Sequence, residues 1–140
     1  MPVTSFRVSE TAALLGVSDD TVRRWADAGR LTLRRPDSGP ALVDGAQIAA
    51  LAQELAAESA LAAAFPTSKA SARNRLTGIV TKVTRDGVMA QVEMQAGPFR
   101  VVSLMSREAA DDLGLEPGVL AVASAKATTV VVELPGEQTA

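Results

Sequence analysis

The hydrophobic pattern of this 140-residue chain changes its period once, and this change restricts the folds that the chain can adopt. Before Phe65-Pro66, apolar residues recur every three or four positions, which is typical of helices with one buried face. From Leu76 onward they alternate with polar residues, which is typical of half-buried strands. We therefore predict an α+β protein of two domains, with a mostly α-helical domain at residues 1–66, a linker at 67–70, a β domain at 71–135 and a tail at 136–140.

The composition argues against most enzyme classes. The chain contains no cysteine and no histidine, so disulfides, thiolate metal sites and the most common general base are excluded. We predict that the protein is not an enzyme and binds no metal cation. It shows neither a signal-peptide pattern nor an apolar run of about 18 residues, so we expect a cytoplasmic protein with no membrane partner. With only three Phe and one Trp, a small core of this kind favours oligomerisation.

Two short helices are predicted near the N-terminus. The segment "SETAALLG" offers Ser9 as a helix N-cap and Gly16 as a stop, and "VSDDTVRRWADAG" offers Ser18 as the next N-cap. Val22 and Trp25 lie three positions apart and predict the buried face of the second helix. The following "RLTLRRPDSGPALVD" predicts a β-hairpin around a Pro-Asp-Ser-Gly turn, and "GAQIAALAQELAAESALAAAF" predicts one long alanine-rich helix.

The net charge of −2 hides a local concentration of arginine between residues 23 and 35. A short helix with polar side chains opposite its buried face can enter the major groove of DNA, and a hairpin can follow the adjacent backbone. The candidate DNA-binding residues are Ser18, Thr21, Arg23, Arg24, Arg34 and Arg35. The alternative is an ordinary solvated helix face in a domain that mediates protein contacts.

The segment "FRVSETAALLGVSDDTVRRWADAGRL", followed by "LVDGAQIAAL", resembles the MerR/excisionase-type winged helix-turn-helix family over roughly residues 5–55. The resemblance implies a winged helix-turn-helix fold and double-stranded DNA as partner. The long dimerisation coiled coil of MerR proteins is absent, since the alanine-rich helix ends at Phe65. Dimerisation must then come from elsewhere, or the domain binds DNA as a monomer or cooperatively.

Five short strands are predicted in the second half, at "LTGIVTKV", "VMAQVEM", "FRVVSLM", "VLAVASA" and "TVVVEL". One short helix, "SREAADDLGL", is capped by Ser106 and interrupts them. Five strands and one helix in about 65 residues predict a small five-stranded OB-like β-barrel.

Polar residues at the entrance to the first of these strands are suited to a tetrahedral dianion. Such an anion requires hydroxyl and amide donors together with positive charge. Arg73 and Lys126 could supply charge, and Ser71, Ser106 and Thr128 hydroxyl groups. These segments are distant in sequence and could converge only at a barrel rim or between subunits. The alternative is a solvated linker and a lysine at a strand end.

The stretches "SARNRLTGIV", "VVSLMSREAADDLGLEPG" and "AKATTVVV" resemble the Mop/TOBE molybdate-binding domain of molbindins over residues 70–134. The resemblance implies molybdate (or tungstate) as ligand and a homo-oligomer, dimer or hexamer, with the anion at subunit interfaces, where Ser71 and Arg73 meet Lys126 of a neighbour. Asn74 is interpreted as fixing the backbone that leads into the strand. The candidate oxyanion-binding residues are Ser71, Ala72, Arg73, Asn74, Ser106, Lys126, Ala127 and Thr128.

Both resemblances together imply a molybdate-responsive DNA-binding transcription regulator. Two alternatives are open at this stage. The first is a molybdate or tungstate storage or homeostasis protein with an accessory helix-turn-helix module, and the second is a Mop domain that only mediates oligomerisation.

Overall fold

The computed structural model describes residues 2–136, so residues 137–140 of the predicted tail lie outside the described residues. The chain divides into two units between Ala60 and Leu61. The N-terminal unit contains strand β1 (Ser5–Arg7), helix α1 (Val8–Leu15), helix α2 (Asp19–Asp27), strand β2 (Leu42–Asp44) and helix α3 (Gly45–Ala57). Helix α4 (Ala60–Ala64) begins at the division.

The N-cap of helix α1 lies two residues before the predicted one. The cap is Arg7, whose backbone N–H donates to Glu10 Oε1 at 2.9 Å, so the prediction of Ser9 as N-cap is wrong. A glutamate at the third helical position satisfies the free amide of the cap residue, and this interaction sets the start of the helix. Gly16 ends α1 with φ of 70°, as predicted.

The predicted cap and buried face of α2 are both confirmed. Ser18 Oγ accepts a hydrogen bond from the Thr21 backbone N–H at 3.2 Å. Val22 is completely buried, and Trp25 packs against the same core. The core of the N-terminal unit consists of Ala12, Val22, Leu31, Val43, Ile48 and Leu51.

The predicted hairpin is reduced to a single bridge. Arg34 and Leu42 exchange both backbone hydrogen bonds, at 2.7 and 2.8 Å. The chain then continues as β2, which pairs antiparallel with β1 rather than with residues 31–33. β1 is three residues long, too short for an alternating pattern to reveal it in the sequence.

The alanine-rich segment forms two helices instead of the single one predicted. α3 ends at Ala57 and α4 begins at Ala60. Ile48 and Leu51 are buried and Leu55 packs against them, whereas Leu61 is 49% exposed. The buried stripe therefore ends near Leu55, and beyond it tertiary packing no longer holds the helix together.

The C-terminal unit is a small OB-like half-barrel of four antiparallel strands. It contains β3 (Asn74–Arg85), β4 (Met89–Ala96), β5 (Phe99–Ser106), helix α5 (Arg107–Asp112), β6 (Leu120–Ala125) and a short 3-10 helix (Ala127–Thr129). The strand order is β5-β4-β3-β6. Ser106 caps α5 as predicted, since its Oγ accepts from the Ala109 N–H at 3.1 Å.

The prediction of a fifth strand at "TVVVEL" is wrong for this chain, because residues 130–134 have no partner strand within the described residues. Val131 and Val132 are 88% and 89% exposed. Three consecutive valines favour an extended backbone, but a strand exists only where a partner accepts its hydrogen bonds.

β3 is the longest strand and is shared by two neighbours. Its first half pairs with β6, from Asn74 opposite Ala125, and its second half pairs with β4 as far as Arg85. The register shifts between Val80 and Lys82, and Val80 lies in the core of this unit. The first half of β3 therefore lies beside the edge strand β6, and its second half lies beside the central strand β4.

None of the helices within residues 2–136 has the length and apolar character that a membrane span requires.

Candidate functional sites

The segment Ser71–Asn74 lies beside the end of β6. Asn74 is the first residue of β3, pairs with Ala125 and donates from Nδ2 to the Ala125 carbonyl oxygen at 3.2 Å. Because the strands are antiparallel, position 73 precedes Asn74 where position 126 follows Ala125. The sequence left open a barrel rim or a subunit interface, and the register brings the two segments together within one chain.

An open cavity of about 580 Å³ lies in front of this segment. It is lined by Thr67, Ser68, Lys69, Ala70, Ala72, Arg73 and Arg75. Three of these residues are basic and none is acidic. The guanidinium group of Arg75 donates to the Ser68 carbonyl oxygen, whereas the side chains of Lys69 and Arg73 contact no hydrogen-bond acceptor within the described part of the chain. Such a cavity attracts an anion, because no carboxylate offsets its positive charge.

Lys69 and Arg75 are absent from the residues that the sequence predicted. Arg75 follows the "SARN" stretch directly and Lys69 precedes it by two residues, so the concentration of positive charge from 69 to 75 was a usable signal. Lys69 was instead assigned to the linker at 67–70, and Arg75, directly before the predicted first strand, was given no role.

Lys126, Ala127 and Thr128 leave β6 through the 3-10 helix rather than entering a strand. The Lys126 carbonyl oxygen accepts from Thr129 Oγ1 at 2.9 Å, which holds this turn closed. The side chains of Lys126 and Thr128 are exposed. They are therefore available to a ligand beside the end of β6.

Ser106 lies at the other end of the sheet. It pairs with Met89, beside the turn that follows Arg85, whereas Asn74 begins β3. The twelve residues of β3 correspond to roughly 35 Å along the strand at about 3.3 Å per residue. Ser106 and Arg73 of one chain are thus too far apart to contact the same tetrahedral anion.

The surroundings of Ser106 are acidic. The cavity next to it is lined by Glu108, Asp111 and Asp112, and Arg107 is engaged by Asp111 at 3.7 Å. Helix α5 has only six residues. Within one chain, this cavity therefore repels an oxyanion more than it attracts one.

Three of the predicted DNA-binding residues at α2, namely Ser18, Thr21 and Arg24, are connected by hydrogen bonds. Ser18 Oγ lies 3.0 Å from Thr21 Oγ1, and Arg24 Nη2 donates to Thr21 Oγ1 at 3.0 Å. Arg23 lies 3.8 Å from the Asp20 carboxylate. These contacts are solvent-exposed, so the arginines can exchange them for other acceptors at little cost.

Arg34 and Arg30 both contact carboxylates within the N-terminal unit. Arg34 Nη2 contacts Ser5 Oγ at 3.1 Å and Asp44 Oδ1 at 3.4 Å, so its guanidinium group is already engaged within the unit. Arg30, part of the same arginine-rich stretch, lies over the Trp25 ring at 5.4 Å and contacts Glu54.

A cavity of about 430 Å³ beside α2 is lined by three arginines. Arg7, Arg23 and Arg35 line it, together with Ser9 and the carboxylates of Asp19 and Asp27. Arg7 was not among the predicted DNA-binding residues, because its position before α1 became apparent only with the short strand β1. The three arginines give this cavity positive charge, which the two carboxylates partly neutralise.

Comparison with known proteins identifies the C-terminal unit. Residues 70–132 match the TOBE domain family. A molybdate binding protein from Sporomusa ovata is 32% identical, and the alignment covers 47% of this chain and 98% of that protein, with a TM-score of 0.45. The chain belongs to the TOBE domain family, and its C-terminal unit is called the TOBE unit.

Two further relatives of the TOBE unit are larger than the matched region. The molybdenum-pterin-binding protein MopA of Rhodobacter capsulatus is 38% identical over 76 residues, which is 54% of this chain and 29% of MopA. The cytoplasmic molybdate-binding protein ModG, whose structure was solved with molybdate bound, is 36% identical, with a TM-score of 0.46. That alignment covers 49% of each chain.

Proposed function

We propose that this protein is a molybdate-responsive DNA-binding regulator, in which the TOBE unit binds molybdate or tungstate and the N-terminal unit binds double-stranded DNA. The observation that carries the first part is the basic cavity at the start of β3, beside the end of β6. The names of the relatives support the choice of anion, since they describe molybdate or molybdenum-pterin binding.

The residues of this site are suited to a tetrahedral dianion. Arg73 and Lys126 supply charge-assisted donors, Ser71 and Thr128 supply hydroxyl groups, and the amides of Ala72, Asn74 and Ala127 add neutral donors. No proton transfer is required of any of them, which agrees with a binding role and not with catalysis.

Oligomerisation explains how Ser106 could take part. A second copy can bring its Ser106 to the Arg73 end of the first, which one chain cannot do. A dimer or hexamer assembled through the TOBE unit would then hold anions between subunits. The exposed valines at 130–132 are also consistent with assembly, because apolar surface of this kind is normally covered.

The binding part is tested by isothermal titration calorimetry with sodium molybdate. We expect Arg73→Ala and Lys126→Ala each to weaken binding by about tenfold or more, since each removes one charge-assisted contact. Lys82→Ala is the matched control, because Lys82 is an exposed lysine of β3 away from the cavity. If Arg73→Ala, Lys126→Ala and Lys82→Ala all bind like the wild type, the assigned site is wrong and the oligomerisation-module alternative gains support.

The DNA-binding part is supported by α2, which exposes Thr21, Arg23 and Arg24 opposite a buried face. Fluorescence anisotropy with genomic DNA fragments would measure binding with and without molybdate. We expect Arg24→Ala to weaken binding by about tenfold, whereas Arg100→Ala in the TOBE unit leaves it unchanged. Equal DNA affinity at zero and saturating molybdate would refute the switch, because a ligand shifts an equilibrium only by its differential affinity.

The second candidate is an oxyanion storage protein. The charge of α2 favours this candidate. The helix carries three aspartates and two arginines, so its net charge is negative, which disfavours contact with DNA phosphates. A storage protein would bind several anions per oligomer and show no preferred DNA sequence. Stoichiometry from the calorimetry and the anisotropy assay together separate the two candidates.

A further inference from the structure

We propose that Lys69 is a ligand of the oxyanion and that Arg75 positions it, so that anion binding orders the segment before β3. This inference rests on the proposed anion-binding function of the TOBE unit. It assigns a binding role to residues 67–69, which the sequence indicated only as a polar linker.

The first observation is that residues before β3 and residues at its start line the same cavity. Thr67, Ser68 and Lys69 contribute to its lining together with Ala72, Arg73 and Arg75. All of these residues belong to the C-terminal unit. An anion that enters the cavity therefore meets residues 67–69 as well as the start of β3.

The second observation is the contact that holds residues 67–69 in place. The Arg75 guanidinium group donates to the Ser68 carbonyl oxygen, seven residues earlier in the chain. Residues 65–73 form neither helix nor strand, so this side chain supplies an anchor that the backbone does not. Arg75 thus holds Lys69 at the cavity instead of leaving it free in solvent.

The third observation is an uncompensated charge. Lys69, Arg73 and Arg75 line one cavity without an acidic residue, and within residues 2–136 neither Lys69 nor Arg73 has an ion-pair partner. Like charges held close together repel each other, and a dianion between them converts this repulsion into attraction. The anion therefore stabilises the folded-back position of residues 67–69.

The affinity test compares Lys69→Ala with Lys82→Ala by molybdate calorimetry on the full chain. We expect Lys69→Ala to raise Kd about fivefold at low ionic strength and Lys69→Arg to restore most of the affinity, since one partly exposed charge contact is lost or replaced. Lys82→Ala should stay within about twofold of the wild type.

The ordering test uses limited trypsin digestion, which cleaves after Lys69. Saturating molybdate should slow this cleavage severalfold in the wild type, whereas sodium sulfate at equal ionic strength should not. In Arg75→Ala at saturating molybdate, the protection against cleavage after Lys69 should be lost, because Ser68 no longer has its contact with Arg75.

The outcomes separate this inference from the function on which it rests. Wild-type binding with an unchanged Kd in Lys69→Ala overturns the inference and leaves molybdate binding intact. Equal cleavage after Lys69 with and without molybdate in a protein that binds it overturns the ordering step. No binding by the wild type overturns the proposed function, and this inference with it.

Discussion

Replacing Gly78 by alanine should destabilise the TOBE unit strongly. Gly78 lies in β3, where a Cβ would stand 2.3 Å from the Gln95 carbonyl oxygen and 2.9 Å from Ala96 Cα. Ordinary van der Waals contact begins near 3.4 Å, so β3 and β4 would have to separate by about 1 Å. Both obstacles are backbone atoms, which no rotamer change can move aside.

The cost follows from what this separation disrupts. The neighbouring Ile79 pairs with Gln95, so one or two ladder hydrogen bonds weaken, at about 1 kcal/mol each. Overpacking adds about 1–3 kcal/mol, and the reduced entropy of the unfolded chain returns about 0.4–1 kcal/mol. We therefore expect Gly78→Ala to lower the free energy of unfolding by about 2–4 kcal/mol.

Thermal unfolding followed by far-UV circular dichroism measures this effect. Trp25 is the only tryptophan and belongs to the N-terminal unit, so its fluorescence does not monitor β3 directly. For a unit of this size, a loss of 2 kcal/mol lowers Tm by about 8 °C or more. The matched control is Gly87→Ala, where a Cβ meets nothing within 4 Å. If Gly78→Ala melts within about 2 °C of Gly87→Ala, β3 and β4 tolerate the added Cβ and the expected destabilisation is wrong.

Three further predictions concern stability. Val22→Ala removes two methyl groups from a fully buried side chain and should lower the free energy of unfolding of the N-terminal unit by about 2–3 kcal/mol, measured by urea denaturation with Trp25 fluorescence. Arg85→Ala should cost the TOBE unit about 1–3 kcal/mol by circular dichroism, because Arg85 contacts two carboxylates and a carbonyl oxygen while only 21% exposed. The pKa of Asp86 is lowered, first by the Met89 N–H and then by the Val88 N–H, which both donate to Oδ1. The ionised carboxylate therefore stabilises the fold above the ordinary aspartate pKa, and this contribution is lost as the pH falls through the lowered pKa. Asp86→Asn has no such carboxylate, so its free energy of unfolding should fall less between pH 5 and pH 2 than that of the wild type.

Local interactions in the sequence were sufficient to predict most elements. Ser18, Gly16 and Ser106 mark helix ends through contacts with residues three or four positions away, so their roles can be read from neighbours in the chain. The predicted start of α1 was wrong because the Glu10 carboxylate accepts a hydrogen bond from the Arg7 backbone N–H, which makes Arg7 the N-cap. Ser9 was predicted instead because serine is a preferred N-cap residue.

Pairing between distant segments was not predictable in the same way. The three valines at 130–132 have the composition of a strand, but whether they form one depends on a partner edge. β1 is the opposite case, since it lacks a strand pattern and forms because β2 lies beside it.

The candidate oxyanion site shows the same division. The residues with suitable groups could be read from the chain, because the "SARN" stretch and Lys126 are recognisable by their chemistry. Which of these residues lie close together depends on the fold. The β3–β6 register brings Asn74 to Ala125, the length of β3 separates Ser106 from Arg73, and a single contact from Arg75 brings Lys69 to the cavity. Charge and hydrogen-bonding capacity belong to each residue, whereas proximity between residues about 50 positions apart is set by strand register and by side-chain contacts across the fold.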